Sequence, residues 1–109
     1  MKMNEAGEKY HIPLELLKMY ESWGLNEPGK THCDDHDLEC LSMMMTLKDS
    51  GFCHEEIGTY MHLLEKGPST AEERLRMLNQ KRRQTLEEIH MKEKQVERLD
   101  YLRHKLRTN

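Results

Sequence analysis

Four residues with metal-ligating side chains, His32, Cys33, His36 and Cys40, fall within nine positions of this chain. Imidazole nitrogen and thiolate sulfur are the donors zinc prefers, and His36 and Cys40 are four apart, a spacing that puts both on one helix face. The cluster holds no Cys-x-x-Cys pair, however, and Cys33 precedes the helix that would carry the other two. Cys40 is therefore expected to be a small half-buried residue, and no metal or other cofactor is expected. His62 and Glu65 have no nucleophile beside them, and His90 and His104 read as surface groups, so the chain is not expected to be an enzyme.

Charge says more about partners. From residue 1 to 66, six lysines and no arginine stand against thirteen acids, a balance of −7; from 67 to 109, eleven cations stand against seven acids, a balance of +4. Polyanions are bound largely by Lys and Arg, so the first two thirds of the chain are a poor average match for nucleic acid and depend on local clustering. The polar N-terminus carries no apolar run of the export type, and three cysteines in such a chain read as reduced thiols, which points to the cytoplasm. The most apolar run, LSMMMTL, is too short to cross a bilayer, so no membrane association is expected. Its three methionines read as core filler.

The elements that must position these groups are helical. Residues 4–10 predict a short helix capped by Asn4. A turn through Tyr10 and Ile12 follows, then a second helix with Pro13 at its first position and Gly24 as its stop. This is the pattern of a helix-turn-helix. Ala6, Ile12, Leu16, Leu17 and Tyr20 should face inward, with Met19 and Trp23 beside them, leaving Glu15, Lys18, Glu21 and Ser22 outside. A polar link with the turn signal Pro28-Gly29 leads to a third helix after Asp34, with Asp34, Asp35 and Asp37 near its positive end. Leu38, Leu41, Met44, Met45 and Leu47 form its stripe. A fourth helix follows from about His54 to Lys66, with Ile57, Met61 and Leu64 inward.

The last element is the longest. From residue 71 to about 107 there is no Pro or Gly, and Ser69 with Glu72, or Thr70 with Glu73, fits a capping box. At 1.5 Å per residue the helix would be about 55 Å long. In heptads, Leu75, Leu78, Ile89, Val96, Leu99 and Leu106 occupy six of the ten core positions. One helix cannot bury that stripe alone, so a homodimer is expected. Arg82 and Lys92 would fix the register or orientation of the pair.

With these elements in order, the chain resembles the MerR family of bacterial transcription regulators. HIPLELLKMYESWGL, from His11, follows the family's GVSxxTLRYYExxGL, with Tyr20, Glu21, Gly24 and Leu25 coinciding. DLECLSMMMTLKDSGFCHEEI, from Asp37, carries the counterpart of GFSLxEI, with Gly51, Phe52, Glu56 and Ile57 in register. Departures in the first segment include Lys18 for the family's Arg, Met19 for its Tyr, His11 for its Gly and Pro13 for its Ser. Cys53 stands where the family has a capping Ser. Only Gly29, Lys30, Thr31 and His32 separate Pro28 from Cys33, so the family's wing, with its GYRxY-like segment, is expected to shrink to a stub or plain loop.

The resemblance implies an all-α protein with a winged-helix-like helix-turn-helix domain over residues 1–66. Residues 69–109 would form a long dimerisation helix that builds an antiparallel coiled coil. It implies a dimeric, DNA-binding transcription regulator. Lys18 and Tyr20 would contact the duplex, and Lys9 or Lys30 would meet flanking phosphates. No ligand domain and no small-molecule effector are expected. Binding is expected to be weak or moderate, because residues 1–66 lack the Arg side chain that most often reads guanine. The alternative is a degenerate relative that has lost DNA binding and acts as a protein adaptor or antagonist, offering Glu27, Asp34, Asp35, Asp37 and Glu39 to a basic partner.

Overall fold

The computed structural model describes residues 1–23 and 32–108. The helix stop expected at Gly24, the shortened wing up to Thr31, Glu27 and Lys30 lie outside the described residues. Among the described residues five α-helices follow one another: α1 Met3–Lys9, α2 Leu14–Ser22, α3 Asp35–Asp49, α4 His54–Lys66 and α5 Ala71–Thr108, with a 3-10 turn, Pro68–Thr70, before α5. Among the described residues there is no strand, only one isolated antiparallel bridge between Lys2 and His32. Beside it the Cys33 N–H donates to the Met1 carbonyl at 2.6 Å, which ties the chain start to the entry of α3.

The apolar periodicity works as expected in α1 to α4. Ala6, Leu16, Tyr20, Leu41, Met44 and Ile57 have no accessible surface at all. Ile12, Leu17, Leu47, Phe52 and Met61 complete most of the core. Phe52 and Tyr60 meet edge to face at 6.3 Å between ring centroids, a favoured aromatic geometry. Gly7 lets α1 approach α2, since a Cβ there would fall 2.5 Å from Leu17 Cδ1.

Three helix starts differ from the sequence expectation. α1 begins at Met3 with Lys2 at its N-cap, not Asn4, because the Glu5 carboxylate accepts the Lys2 N–H and the Met3 side chain is drawn into the core. Pro13 is the cap residue of α2 rather than its first helical one; its carbonyl accepts the N–H groups of Leu16 and Leu17. Neither Ser69 nor Thr70 forms the expected capping box. Pro68 opens a 3-10 turn that already includes Thr70, so the Thr70 hydroxyl turns back to the carbonyls of Leu63 (2.6 Å) and Gly67 (2.9 Å) and accepts from Arg74 Nε (3.0 Å). Thr70 thus pins the start of α5 to the end of α4.

Two compact units result, Met1–Arg74 and Leu75–Asn109. The second continues α5. None of its described residues is buried, and the six expected seam residues are between 38 % and 82 % exposed.

The turn between α1 and α2 holds the chain's one described non-glycine residue at positive φ, His11 at 54°. L-residues disfavour this left-handed region by about 1–2 kcal/mol, which accounts physically for the glycine that the resembled family carries here. The His11 side chain is exposed, so little packing opposes its removal. His11→Gly should raise stability by about 0.5–1 kcal/mol after the extra chain entropy of glycine is subtracted. A higher urea midpoint at unchanged m-value is the expected result.

Candidate nucleic-acid interface

The outer face of α2 is exposed. Its inner face is fixed by Leu16, Leu17 and Tyr20, all buried. Tyr20 supplies the decisive polar anchor. Its hydroxyl donates to Asp37 Oδ1 at 2.5 Å, and Asp37 Oδ2 accepts the Asp34 N–H at 3.0 Å. Asp34 Oδ1 accepts the Asp37 N–H at 2.9 Å, which closes a reciprocal cap on α3. Burial, and then the hydrogen bond to Asp37, push the Tyr20 phenol well above its ordinary pKa. At its C-terminal end α2 is held by Trp23, whose ring lies against Gly58 of α4 and meets the His62 ring edge-on at 5.7 Å. His62 Nδ1 in turn is 2.7 Å from the Gly58 carbonyl.

What remains outside is Leu14, Glu15, Lys18, Glu21 and Ser22. The Ser22 hydroxyl bonds back to the Met19 carbonyl. Glu15 reaches beyond its own helix: Lys48, in the last turn of α3, pairs with one carboxylate oxygen, and His54 Nε2, at the start of α4, lies 3.5 Å from the other. Lys48 and His54 had no place among the sequence candidates. Their separation from Glu15 along the chain gives no periodic signal; only the turn at Gly51, with φ of 93°, brings them beside α2.

The candidates named from sequence therefore divide. Lys18 is exposed on the outer face of α2. Lys9 is exposed in the last turn of α1, with its ammonium 5.4 Å from the Tyr10 ring centroid. Tyr20 does not belong with them as a contact residue: its side chain is fully buried and its hydroxyl is committed to Asp37, so it orients α2 from behind.

The His-Cys cluster is likewise divided. His36 Nε2 and Cys40 Sγ are 3.7 Å apart on one face of α3, but Cys33 is buried beside the Asp34 carbonyl. Among the described residues no three His, Cys, Asp or Glu side chains gather as a metal site. Burial raises the Cys40 pKa despite an opposing hydrogen bond with Tyr20, so its thiolate is disfavoured. Asp37, offered above as part of an acidic partner surface, is withdrawn into the core at 1 % exposure.

A helix-turn-helix with a second helix pair and a long C-terminal helix can be compared with known proteins. Residues 1–64 match the family model of MerR HTH family regulatory proteins. The chain belongs to the MerR helix-turn-helix family. It is 27 % identical over 103 residues to an uncharacterised HTH-type transcriptional regulator of Haemophilus influenzae, covering 89 % of this chain and 76 % of that one. Its fold matches the crystal structure of a protein assigned to the MerR regulators of Listeria monocytogenes with a TM-score of 0.70 and 25 % identity, over 93 % of this chain and 81 % of the other. A Bacillus thuringiensis MerR regulator matches in fold at TM-score 0.64 and 23 % identity, over 92 % and 93 % of the two chains. The all-α architecture with its long last helix is thus that of MerR regulators, and the relatives are transcription regulators rather than enzymes. Among the described residues no helix is long and apolar enough to cross a membrane.

Because the native state holds the Tyr20 phenol neutral while an unfolded tyrosine ionises near 10.0, its contribution to stability is complete below that pH and is lost as pH rises past it. Above pH 10 this single group should cost up to about 1.4 kcal/mol per pH unit. Tyr20→Phe should lower stability by about 1–3 kcal/mol near neutral pH, since it takes a donor from the buried Asp37. It should also remove this residue's share of the alkaline slope. Urea melts of both proteins between pH 8 and about pH 11 read both effects.

Proposed function

We propose that this MerR-family protein is a homodimeric transcription regulator that binds duplex DNA through the outer face of α2. The observation that carries the reading is the polarity of α2. One face is locked by Tyr20, Leu16 and Leu17, and the other offers Lys18 from a rigid helix. A helix held from behind can enter a major groove without losing its own packing, and a lysine there can reach a base edge or a phosphate. Lys9 or Lys30 would serve flanking phosphates. With two acids and one lysine on α2, phosphate contacts would be few, so the affinity would be modest and its salt dependence shallow.

The exposed stripe of α5, Leu75, Leu78, Ile89, Val96, Leu99 and Leu106, favours a second copy as its cover. An antiparallel pair would place Arg82 and Lys92 where misaligned registers would bury them. This arrangement divides the chain into a DNA-reading part, about 1–66, and a pairing part, about 69–109. The acidic adaptor has less support, because Asp34 and Asp37 are spent on the cap of α3.

Two measurements test the reading. Lys18→Ala should weaken binding to a duplex from the region upstream of the gene by about tenfold or more, read by fluorescence anisotropy. Val96→Glu together with Leu99→Glu should convert the dimer to a folded monomer in sedimentation equilibrium. A double variant that remains dimeric would place the seam elsewhere.

A further inference from the structure

The contact between Glu15 and the α3–α4 junction has a role that depends on the DNA-binding reading just given. On α2 the charged residues are Glu15, Lys18 and Glu21, so this helix alone presents a net negative charge. The cation that offsets it comes from another element, and Glu15 holds it: Lys48 pairs with one carboxylate oxygen, and the His54 ring nitrogen lies 3.5 Å from the other. All three side chains remain accessible, with 47 %, 37 % and 54 % exposure for Glu15, Lys48 and His54. They therefore lie where a phosphate approaching α2 would arrive.

We infer that Glu15 is an affinity-setting residue that competes with DNA phosphate for Lys48. To meet Lys48, a phosphate must displace a carboxylate already paired with it. One anion is then exchanged for another, and the net gain is small. The released carboxylate also stays on the DNA-facing surface, where it repels the backbone. The consequence is a regulator with its phosphate-binding cation in position but internally neutralised. Such a protein would be slow to accumulate on arbitrary duplex, since non-specific binding comes almost entirely from cation–phosphate contacts.

The test uses the full-length protein, a fluorescein-labelled duplex from the DNA upstream of its own gene, and a scrambled duplex of equal length. Anisotropy titrations run from about 50 to 200 mM salt, the range over which phosphate contacts weaken most visibly. Glu15→Gln keeps size and helix preference and removes the charge. It should tighten binding about three- to tenfold at the lowest salt and steepen the log–log salt slope by about one unit, the mark of one added phosphate contact. The gain should appear on both duplexes. Lys48→Ala placed in the Glu15→Gln protein should bring affinity back to within about twofold of wild type and restore the wild-type slope. Glu39→Gln, which makes the same change in net charge at an exposed position of α3, should alter binding less than about twofold. Circular dichroism and thermal melts confirm that each variant is folded.

Weaker or unchanged binding by Glu15→Gln overturns this inference alone, provided the wild type binds. So does an equal gain from Glu39→Gln, or a gain that survives loss of Lys48. Failure of both wild type and Glu15→Gln to bind either duplex overturns the DNA-binding reading and this inference with it.

Discussion

The hydrogen bond from the Tyr20 hydroxyl to Asp37 is the constraint on which the first unit depends. It joins the last turn of α2 to the first turn of α3 at a point with no accessible surface on the tyrosine. A buried carboxylate is expensive unless its oxygens are satisfied. Asp37 solves this by taking the phenol on one oxygen and the Asp34 amide on the other. The same carboxylate sits in the first turn of α3, where the helix dipole favours a negative charge. Three local requirements, a cap, a buried acid and a buried phenol, are met by one arrangement. It fixes the rotation of α2 and so decides which of its side chains face outward.

Much of this was legible in the sequence, and the reason is periodicity. The spacing of Leu16, Leu17 and Tyr20 placed them on one face, and the structure buries all three. The same holds for Leu41, Met44 and Leu47 in α3, and for Ile57 and Met61 in α4. The break at Gly51 and the stop at Gly67 were also readable, since both adopt positive φ that favours glycine. The long α5 followed from the absence of breakers.

What the sequence hid was contact between distant segments. Asp37 looked like one more acid at a charged helix start, and Tyr20, inward by its spacing, was also given a DNA contact by the family resemblance. Each assignment changes only when the other residue is placed beside it. Lys48 and His54 carried no signal because they meet Glu15 across a turn, 33 residues away in the case of Lys48. Local competition explains the shifted helix starts. Glu5 at the third position of α1 favoured Lys2 over Asn4 as the cap, and Pro68 opened a turn too early for Thr70 to act as one.

The single tryptophan gives the molecule an optical property that its other aromatics do not share. Trp23 sits at the end of α2, against the bare backbone of Gly58 and edge-on to His62. Its indole emission therefore reports on one junction, that between the presented helix and α4, with no other tryptophan to dilute the signal. The protein thus carries a native fluorophore where the presented helix meets α4, and a shift in intensity or wavelength would register a movement of α2 without any label attached.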